Sequence, residues 1–436
     1  MDLKEKQPLS LNTEYVDVLN QLEQSKGHFF ITGKAGTGKS TLLQLYRNTT
    51  QKKFAVLAPT GIAALNVRGQ TIHSFFGFPP RMLDRSEIVR RKDHRFFNQF
   101  DGIIIDEVSM VRADLLDNID LFLRIQRNTD RPFGGVQMIF FGDLFQLPPV
   151  ISSDFERKYF REHYDSPYFF SAKVFDQGRE LTMIELHQVF RQDERHFIRL
   201  LDNIRQRSFD YDDLMELNER VGEPPSDVQY LINLCARNAT ADQINKEALQ
   251  RLDETPRIFS ARIEGDFQPS YYPTETQLLL KRGAQVMFVK NDLQKQFVNG
   301  TLGILKHIED DELMVDIMDE HGHEKTIKVS RLSWENIKYR PDLVDPTKIN
   351  ADVTGSFTQF PLRLAWAITI HKSQGKTFDR VSIDMGNGAF EAGQTYVALS
   401  RCRRLGGIYL KKAIQPKDII VDPLILEYYE SMKRWG

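Results

Sequence analysis

His28-Phe29-Phe30-Ile31-Thr32-Gly33-Lys34-Ala35-Gly36-Thr37-Gly38-Lys39-Ser40-Thr41-Leu42-Leu43 begins with an apolar run, turns through three glycines and ends in a helix-forming stretch. Gly33 to Ser40 has the spacing G-x-x-x-x-G-K-[ST], and a strand before and a helix after are the context a phosphate-binding loop needs. Glycines let successive backbone N–H groups wrap phosphates at a helix N-terminus. Lys39 brings a mobile charge to the β and γ oxygens, and the Ser40 hydroxyl suits Mg²⁺. The expected nucleotide contacts are Gly33, Ala35, Gly36, Thr37, Gly38, Lys39, Ser40 and Thr41.

Ile103-Ile104-Ile105-Asp106-Glu107 is a second apolar strand, ending in two carboxylates. In that setting Asp106 would hold Mg²⁺ through water and Glu107 would polarise the attacking water, which specifies hydrolysis. A guanine site would want Asn-Lys-x-Asp, and Asn245-Lys246-Glu247-Ala248 lacks the aspartate, so ATP is the expected nucleotide.

The runs His28 to Thr32, Phe54 to Ala58, Gly102 to Ile105 and Met138 to Phe141 read as buried parallel strands, with helices at Ser40 to Arg47 and Ala113 to Gln126 between them. A second α/β set begins near Leu181, with strands at Met183 to Leu186, Tyr230 to Leu234, Val381 to Ile383 and Ile408 to Leu410. Between its halves Gly283 to Tyr339 switches to short alternating strands and Gly-bearing turns, a small β-barrel-like insertion. Pro341 to Ser356 reads as a loop.

At 436 residues, 41% hydrophobic and 27% charged, the chain should form two large domains with well-packed cores. A net charge of -2 argues against a passive DNA-coating protein and confines any nucleic-acid surface to a local channel. Cys235 and Cys402, far apart, read as free thiols in a reducing compartment. No stretch approaches the roughly 20 apolar residues of a membrane span, so no membrane is expected, and Met1 to Gln7 leads into no apolar run of signal length. A cytoplasmic, nucleoid-associated protein is expected. The basic run Arg81 to Arg95 reads as a solvated helical face, and His321 with His323 offers too few ligands for a metal.

The chain resembles the superfamily 1B DNA helicases of the PIF (petite integration frequency) type, relatives of RecD, over nearly its whole length. The resemblance rests on Ala58-Pro59-Thr60-Gly61-Ile62-Ala63-Ala64, Thr71-Ile72-His73-Ser74-Phe75-Phe76, Asp106-Glu107-Val108-Ser109-Met110, Pro132-Phe133-Gly134-Gly135, Gly142-Asp143-Leu144-Phe145-Gln146-Leu147-Pro148-Pro149, Ile370-His371-Lys372-Ser373-Gln374-Gly375 and Tyr396-Val397-Ala398-Leu399-Ser400-Arg401. It implies two RecA-like P-loop motor domains in an α/β fold. The first spans 1–166 with a short wedge near 65–80, the second spans 167–282 and 358–436, and an SH3-like β insertion spans 283–357. It makes Gln146 the γ-phosphate sensor, adds Gly375 to the ATP contacts, and makes Arg191, in Gln188-Val189-Phe190-Arg191-Gln192, and Arg401 arginine fingers from the second domain. Positive charge delivered by a separate domain would couple closure to phosphoryl transfer. Pro59, Thr60, Gly61, His73, Ser74 and Phe75 in the first domain, and His371, Lys372, Ser373 and Gln374 in the second, are assigned to a single-strand groove. Small polar groups bind phosphates there without reading sequence, and a ring stacks on any base; of Phe75 and Phe76, one is expected in the core.

One departure stands out. The family's adenine-reading motif continues Leu-x-x-Glu with Gln, but Leu11-Asn12-Thr13-Glu14 is followed here by Tyr15, leaving stacking by Tyr15 or reach from Gln21 as alternatives. The resemblance implies ATP and Mg²⁺ as cofactors, 5′ to 3′ stepping, and single-stranded DNA and single-strand/duplex junctions as partners. Forks, RNA–DNA hybrids and G-quadruplexes are implied substrates, and a monomer is expected in solution. The competing readings are an RNA-preferring helicase, a nucleotide-switched single-strand-binding protein and a small-molecule kinase.

Overall fold

The computed structural model describes residues 13–435, apart from 80, 152, 177–180, 193, 226–227, 293, 295, 320–321 and 342–348. Leu11, Asn12 and His321 therefore lie outside the described residues. Six strands, β1 (His28–Gly33), β2 (Phe54–Ala58), β3 (Gln70–Thr71), β4 (Gly102–Ile105), β5 (Gln137–Phe141) and β6 (Leu181–Leu186), form one sheet in the order β3-β2-β4-β5-β1-β6. Every pairing in it is parallel. Helices cover both faces, so β4 and β5 are buried along their whole length, as their unbroken apolar runs require.

The expected boundary at 166 is corrected here. β6, read as the first strand of the second domain, pairs with β1 from His28↔Leu181 to Gly33↔Leu186. An apolar run marks a strand without naming its partner, and the open edge of β1 takes this one. The wedge expected near 65–80 is likewise built into this lobe. Gln70–Thr71 is its edge strand, and Phe75, Phe76 and Phe78 are buried in its core.

The second RecA-like lobe starts with β7 (Ile232–Cys235), followed by the helix Asn238–Arg251. The chain then leaves the lobe for β8 (Arg257–Ser260), β9 (Arg262–Gly265), β10 (Gln277–Leu280), β11 (Gln285–Phe288), β12 (Leu302–Ile308), β13 (Glu312–Met318), β14 (Glu324–Ser330), β15 (Leu332–Pro341), β16 (Ile349–Gln359) and β17 (Leu362–Leu364). It returns as β18 (Ala367–Thr369), β19 (Val381–Asp384) and β20 (Ile408–Leu410), giving a parallel sheet ordered β18-β7-β19-β20.

Within the insertion, β14-β13-β12-β11-β17 form a curved sheet around Val286, Leu305, Leu313, Val315 and Phe360, and Phe259 and Leu278 from β8 and β10 complete that core. The insertion thus begins before residue 283. The loop expected at Pro341 to Ser356 is corrected as well: β15 and β16 pair from Leu332↔Gln359 to Pro341↔Ile349, and β9 joins β16. The basic run is no helix but two short 3-10 turns, Arg85–Glu87 and His94–Gln99, with ion pairs Arg81–Glu87 and Arg91–Asp93.

The C-terminal helix Pro423–Trp435 crosses back to the first lobe, where Tyr428 stacks on Phe170 at 4.0 Å and Tyr429 meets Phe145 edge-on at 5.3 Å. One apolar core therefore runs through both lobes. Both cysteines are buried and free. Among the described residues no helix is long and apolar enough to cross a membrane.

Candidate nucleotide and nucleic-acid site

In a parallel sheet the loops leaving the C-terminal strand ends share one edge, and ligands collect there. Here β1 delivers the phosphate loop, β4 delivers Asp106 and Glu107, β5 delivers Gly142 to Gln146, and β6 leads to Arg191. The neighbouring strands β2 and β3 deliver Pro59 to Gly61 and His73 to Phe75 to the same edge. The strand order thus sets the nucleotide motifs and the groove motifs side by side.

A cleft of about 420 Å³ between the lobes is lined by Ala35, Gly36, Gly38, Lys39, Ser40, Thr41, Asp106, Glu107, Gln146, Arg191, Gly375 and Arg401, all expected from sequence. Gly33 and Thr37 support it from behind. The Gly33 carbonyl accepts a 2.7 Å bond from Lys39 Nζ, and the buried Thr37 hydroxyl donates to the Lys34 carbonyl at 3.0 Å. Gly36 has to be glycine: with φ at +90°, a Cβ there would lie 2.5 Å from Arg191 Cβ. Gly142, Phe190, Thr377 and Arg403 also line the cleft and were missed. Phe190 and Arg403 each stand within two residues of an expected finger, which was the available signal.

Asp106 is buried, and Glu107 beside it is half-buried at the cleft wall. Burial, and for Asp106 its neighbour Glu107, raises both above the usual carboxylate range, while Lys39 pulls the other way. Burial lowers Lys39 against the opposing pull of Asp143 and Glu107. Two neighbouring carboxylates that line one cleft with Ser40 supply the all-oxygen donor set that suits a hard divalent cation, so Ser40 and Asp106 fit Mg²⁺. Glu107 sits at φ +52°, a left-handed backbone that costs a non-glycine residue roughly 1–2 kcal/mol and aims the carboxylate at the cleft.

The second lobe reaches this site directly. Gln374 Nε2 donates to Glu107 Oε2 at 3.1 Å and to Gln146 Oε1 at 3.2 Å. Gln146 Nε2 in turn donates to Asp143 at 3.3 Å. Asp143 forms a fully buried ion pair with Arg205 at 3.0 Å. Tyr396 links the lobes again, accepting from the Ala35 backbone N–H at 2.8 Å and donating to Asp143 at 3.4 Å. Sequence reasoning missed Arg205 and Tyr396 because a buried network has no spacing rule.

The two expected fingers differ in origin. Arg401 belongs to the second lobe, is 1% exposed and is held by the Val397 carbonyl and the Ser400 hydroxyl. Arg191 stands in the link between β6 of the first sheet and the helix Arg195–Gln206, beside the phosphate loop, and its guanidinium reaches across to the Ser400 carbonyl of the second lobe at 3.3 Å.

The groove residues divide as well. Thr60 caps the helix Gly61–Asn66, and Tyr271 of the insertion covers Gly61 so closely that a Cβ there would lie 2.1 Å from the ring. The Tyr271 hydroxyl is 3.0 Å from Thr71 Oγ1. Pro59 lies beside Thr60, at the end of β2. His73 and Ser74 are half-buried, Ser74 Oγ accepting from Gln70 at 2.9 Å. In the second lobe His371 pairs with Glu391 at 2.9 Å, and Lys372 is exposed.

Phe75 does not face a groove. It is 5% exposed within a cluster of Phe76, Phe96, Phe97, Phe100 and Tyr339, so both phenylalanines belong to the core. Ser373 is fully buried, its hydroxyl donating to the Ile370 carbonyl at 2.6 Å, and Gln374 points into the nucleotide cleft. Residue type suggests contact with DNA at these three positions, but only packing decides which way each side chain faces. Tyr15, the departure from the family motif, is 6% exposed, and its hydroxyl donates to the Thr37 carbonyl at 2.9 Å. It buttresses the phosphate loop.

The family model for PIF1-like helicase matches residues 10–213. The ATP-dependent DNA helicase Pif1 of Bdellovibrio bacteriovorus is 31% identical over 98% of this chain and 93% of its own length. Of the vertebrate PIF1 relatives the chain spans 63 to 65% of the length. Among solved structures, Pif1 from Bacteroides sp in complex with ADP-AlF4 superimposes with a TM-score of 0.89 at 38% identity, covering 98% of each chain. Bacteroides Pif1 bound to ssDNA gives 0.70 at 39% identity, again over 98% of each chain. Near-complete coverage at this identity, on a fold whose phosphate loop, paired carboxylates and second-lobe arginine meet in one cleft, shows that the chain belongs to the PIF1-like helicase family.

Proposed function

We propose that the chain hydrolyses ATP with Mg²⁺ in the interlobe cleft and uses the cycle to step along single-stranded DNA and separate strands. The observation that carries this reading is Gln374. It directly follows His371, Lys372 and Ser373, yet its carboxamide bonds to Glu107 and Gln146 in the cleft. A shift of the second lobe on a DNA strand would therefore move a group held against the water-polarising carboxylate. Lys39 holds the phosphates, Glu107 orients the attacking water, and Arg401 offsets the charge that develops on the γ oxygens. Mg²⁺, held by Ser40 and Asp106, would neutralise charge on the β and γ oxygens.

The relatives named above support DNA as the track, one of them having been solved bound to ssDNA. Stepping from 5′ to 3′, preference for single-strand/duplex junctions and forks, action on RNA–DNA hybrids or G-quadruplexes, a monomeric state in solution and a nucleoid-associated cytoplasmic location belong to the same proposal and rest on family resemblance. The test is ATPase rate and strand separation on DNA and RNA duplexes with 5′ or 3′ tails. Stimulation by single-stranded DNA and unwinding of 5′-tailed DNA are expected, with Gln374→Ala binding DNA normally but losing most of the stimulation. Unwinding restricted to 3′-tailed DNA overturns the polarity, and turnover indifferent to DNA overturns the motor reading.

A further inference from the structure

We propose that this chain selects its nucleotide by the triphosphate and not by the base, so that GTP, CTP and UTP drive it about as well as ATP; this rests on the nucleotide reading of the cleft. A carboxamide matches adenine because it accepts from one position of the base edge and donates to another. The phenol of Tyr15 carries a single hydroxyl, and that hydroxyl donates to the Thr37 carbonyl. The ring is locked in place: a Cβ at Gly38 would lie 2.0 Å from the Tyr15 hydroxyl, and the side chain is 6% exposed. Turning it toward a base would break the bond and leave a buried carbonyl unsatisfied. Gln21, the carboxamide considered as an alternative on the helix Thr13–Gln24, is exposed and lies six residues further on, about 9 Å along the helix axis.

What the cleft offers a base instead is Phe190. It lines the cleft, is 51% exposed despite its size, and meets Tyr15 edge-on at 6.0 Å. Its backbone is pinned to the phosphate loop, the amide donating to the Gly36 carbonyl at 2.8 Å. An aromatic face stacks on every base and so does not discriminate, whereas a site built to hydrogen-bond one edge rejects its competitors by orders of magnitude.

The experiment measures kcat/KM for ATP, GTP, CTP and UTP with saturating single-stranded DNA, in the parent chain, Phe190→Ala and Tyr15→Phe. In the parent the four values are expected to fall within about tenfold of one another. Phe190→Ala should raise KM for all four by a similar factor, about 5- to 150-fold, with kcat kept. Tyr15→Phe should alter all four alike, because the hydroxyl serves the loop. A hundredfold or greater preference for ATP in the parent, or a change in the ratio of ATP to the others in Tyr15→Phe, overturns the proposal while leaving the motor reading intact. Absence of turnover with every nucleotide overturns both.

Discussion

Lys39 and Glu107 act at different moments. Lys39 bonds the phosphate-loop carbonyls of Gly33 and Lys34 and is placed to exchange them for phosphate oxygens, a ground-state contact. Glu107 acts on the water. Lys39→Ala should therefore weaken nucleotide binding, while Glu107→Gln should bind ATP nearly normally, and both should lose turnover. Equilibrium binding of a labelled nucleotide and steady-state ATPase check this, and near-parent hydrolysis by Glu107→Gln removes it from the assigned role. The fingers separate in the same assay. Arg401 comes from the second lobe, so Arg401→Ala should depress the DNA-stimulated rate by about 10³ to 10⁵ and abolish stimulation. Arg191 follows the first sheet, so Arg191→Ala should lower basal and stimulated rates together and preserve their ratio. Melting of each variant separates lost chemistry from lost folding.

At the level of elements, the helix Arg195–Gln206 and the turn after β5 are joined by Arg205 and Asp143, both fully buried. The guanidinium also lies 4.1 Å from the Phe145 ring and 5.3 Å from that of Tyr429, on the C-terminal helix. Removing one partner leaves an uncompensated charge, so Arg205→Ala should cost about 3–5 kcal/mol, read by denaturant unfolding. Burial pushes the Asp143 carboxyl up, but Arg205 and Lys39 outweigh it, and the net shift is downward. A group whose folded pKa is depressed stabilises above its unfolded value, near 3.9, and loses that contribution as pH falls through the folded value. Acid should therefore erode the parent's melting temperature more steeply below about pH 4 than that of Arg205→Ala. Equal acid slopes would mean that the pair carries no such linkage.

Across the whole molecule, the insertion rests on the first lobe. Tyr271 covers Gly61, Tyr339 packs against Phe75, and the Asn299 side chain donates to Asn66 at 3.2 Å. Gly61 is among the expected groove residues, so a strand bound there has to displace Tyr271 and carry the insertion with it. Dyes attached through Lys158→Cys in the first lobe and Lys328→Cys in the insertion, both exposed positions, should change energy transfer when single-stranded DNA is added. Unchanged transfer at saturating DNA would place the strand elsewhere. Tyr271→Ala, which uncovers Gly61, should bind single-stranded DNA more tightly without nucleotide.

The phosphate loop, the paired carboxylates, the parallel strands that carry them and the insertion's β character are all legible in the residues alone. Each is a local matter: glycines at fixed spacing, an apolar run, a change of period from βαβ units to short alternating strands. Long-range packing alone settles that β6 completes the first sheet, that Arg191 in the link after it reaches both the phosphate loop and Ser400, that Phe75 and Ser373 are buried, and that Gln374 turns into the cleft. Tyr15 shows the division most clearly. Its identity was legible as a departure from the family motif, but whether its hydroxyl meets a base or the Thr37 carbonyl depends on a contact across 22 positions of chain. Pairings between distant segments are chosen by packing and by the need to satisfy buried polar groups, and neither leaves a periodic trace in the residues themselves.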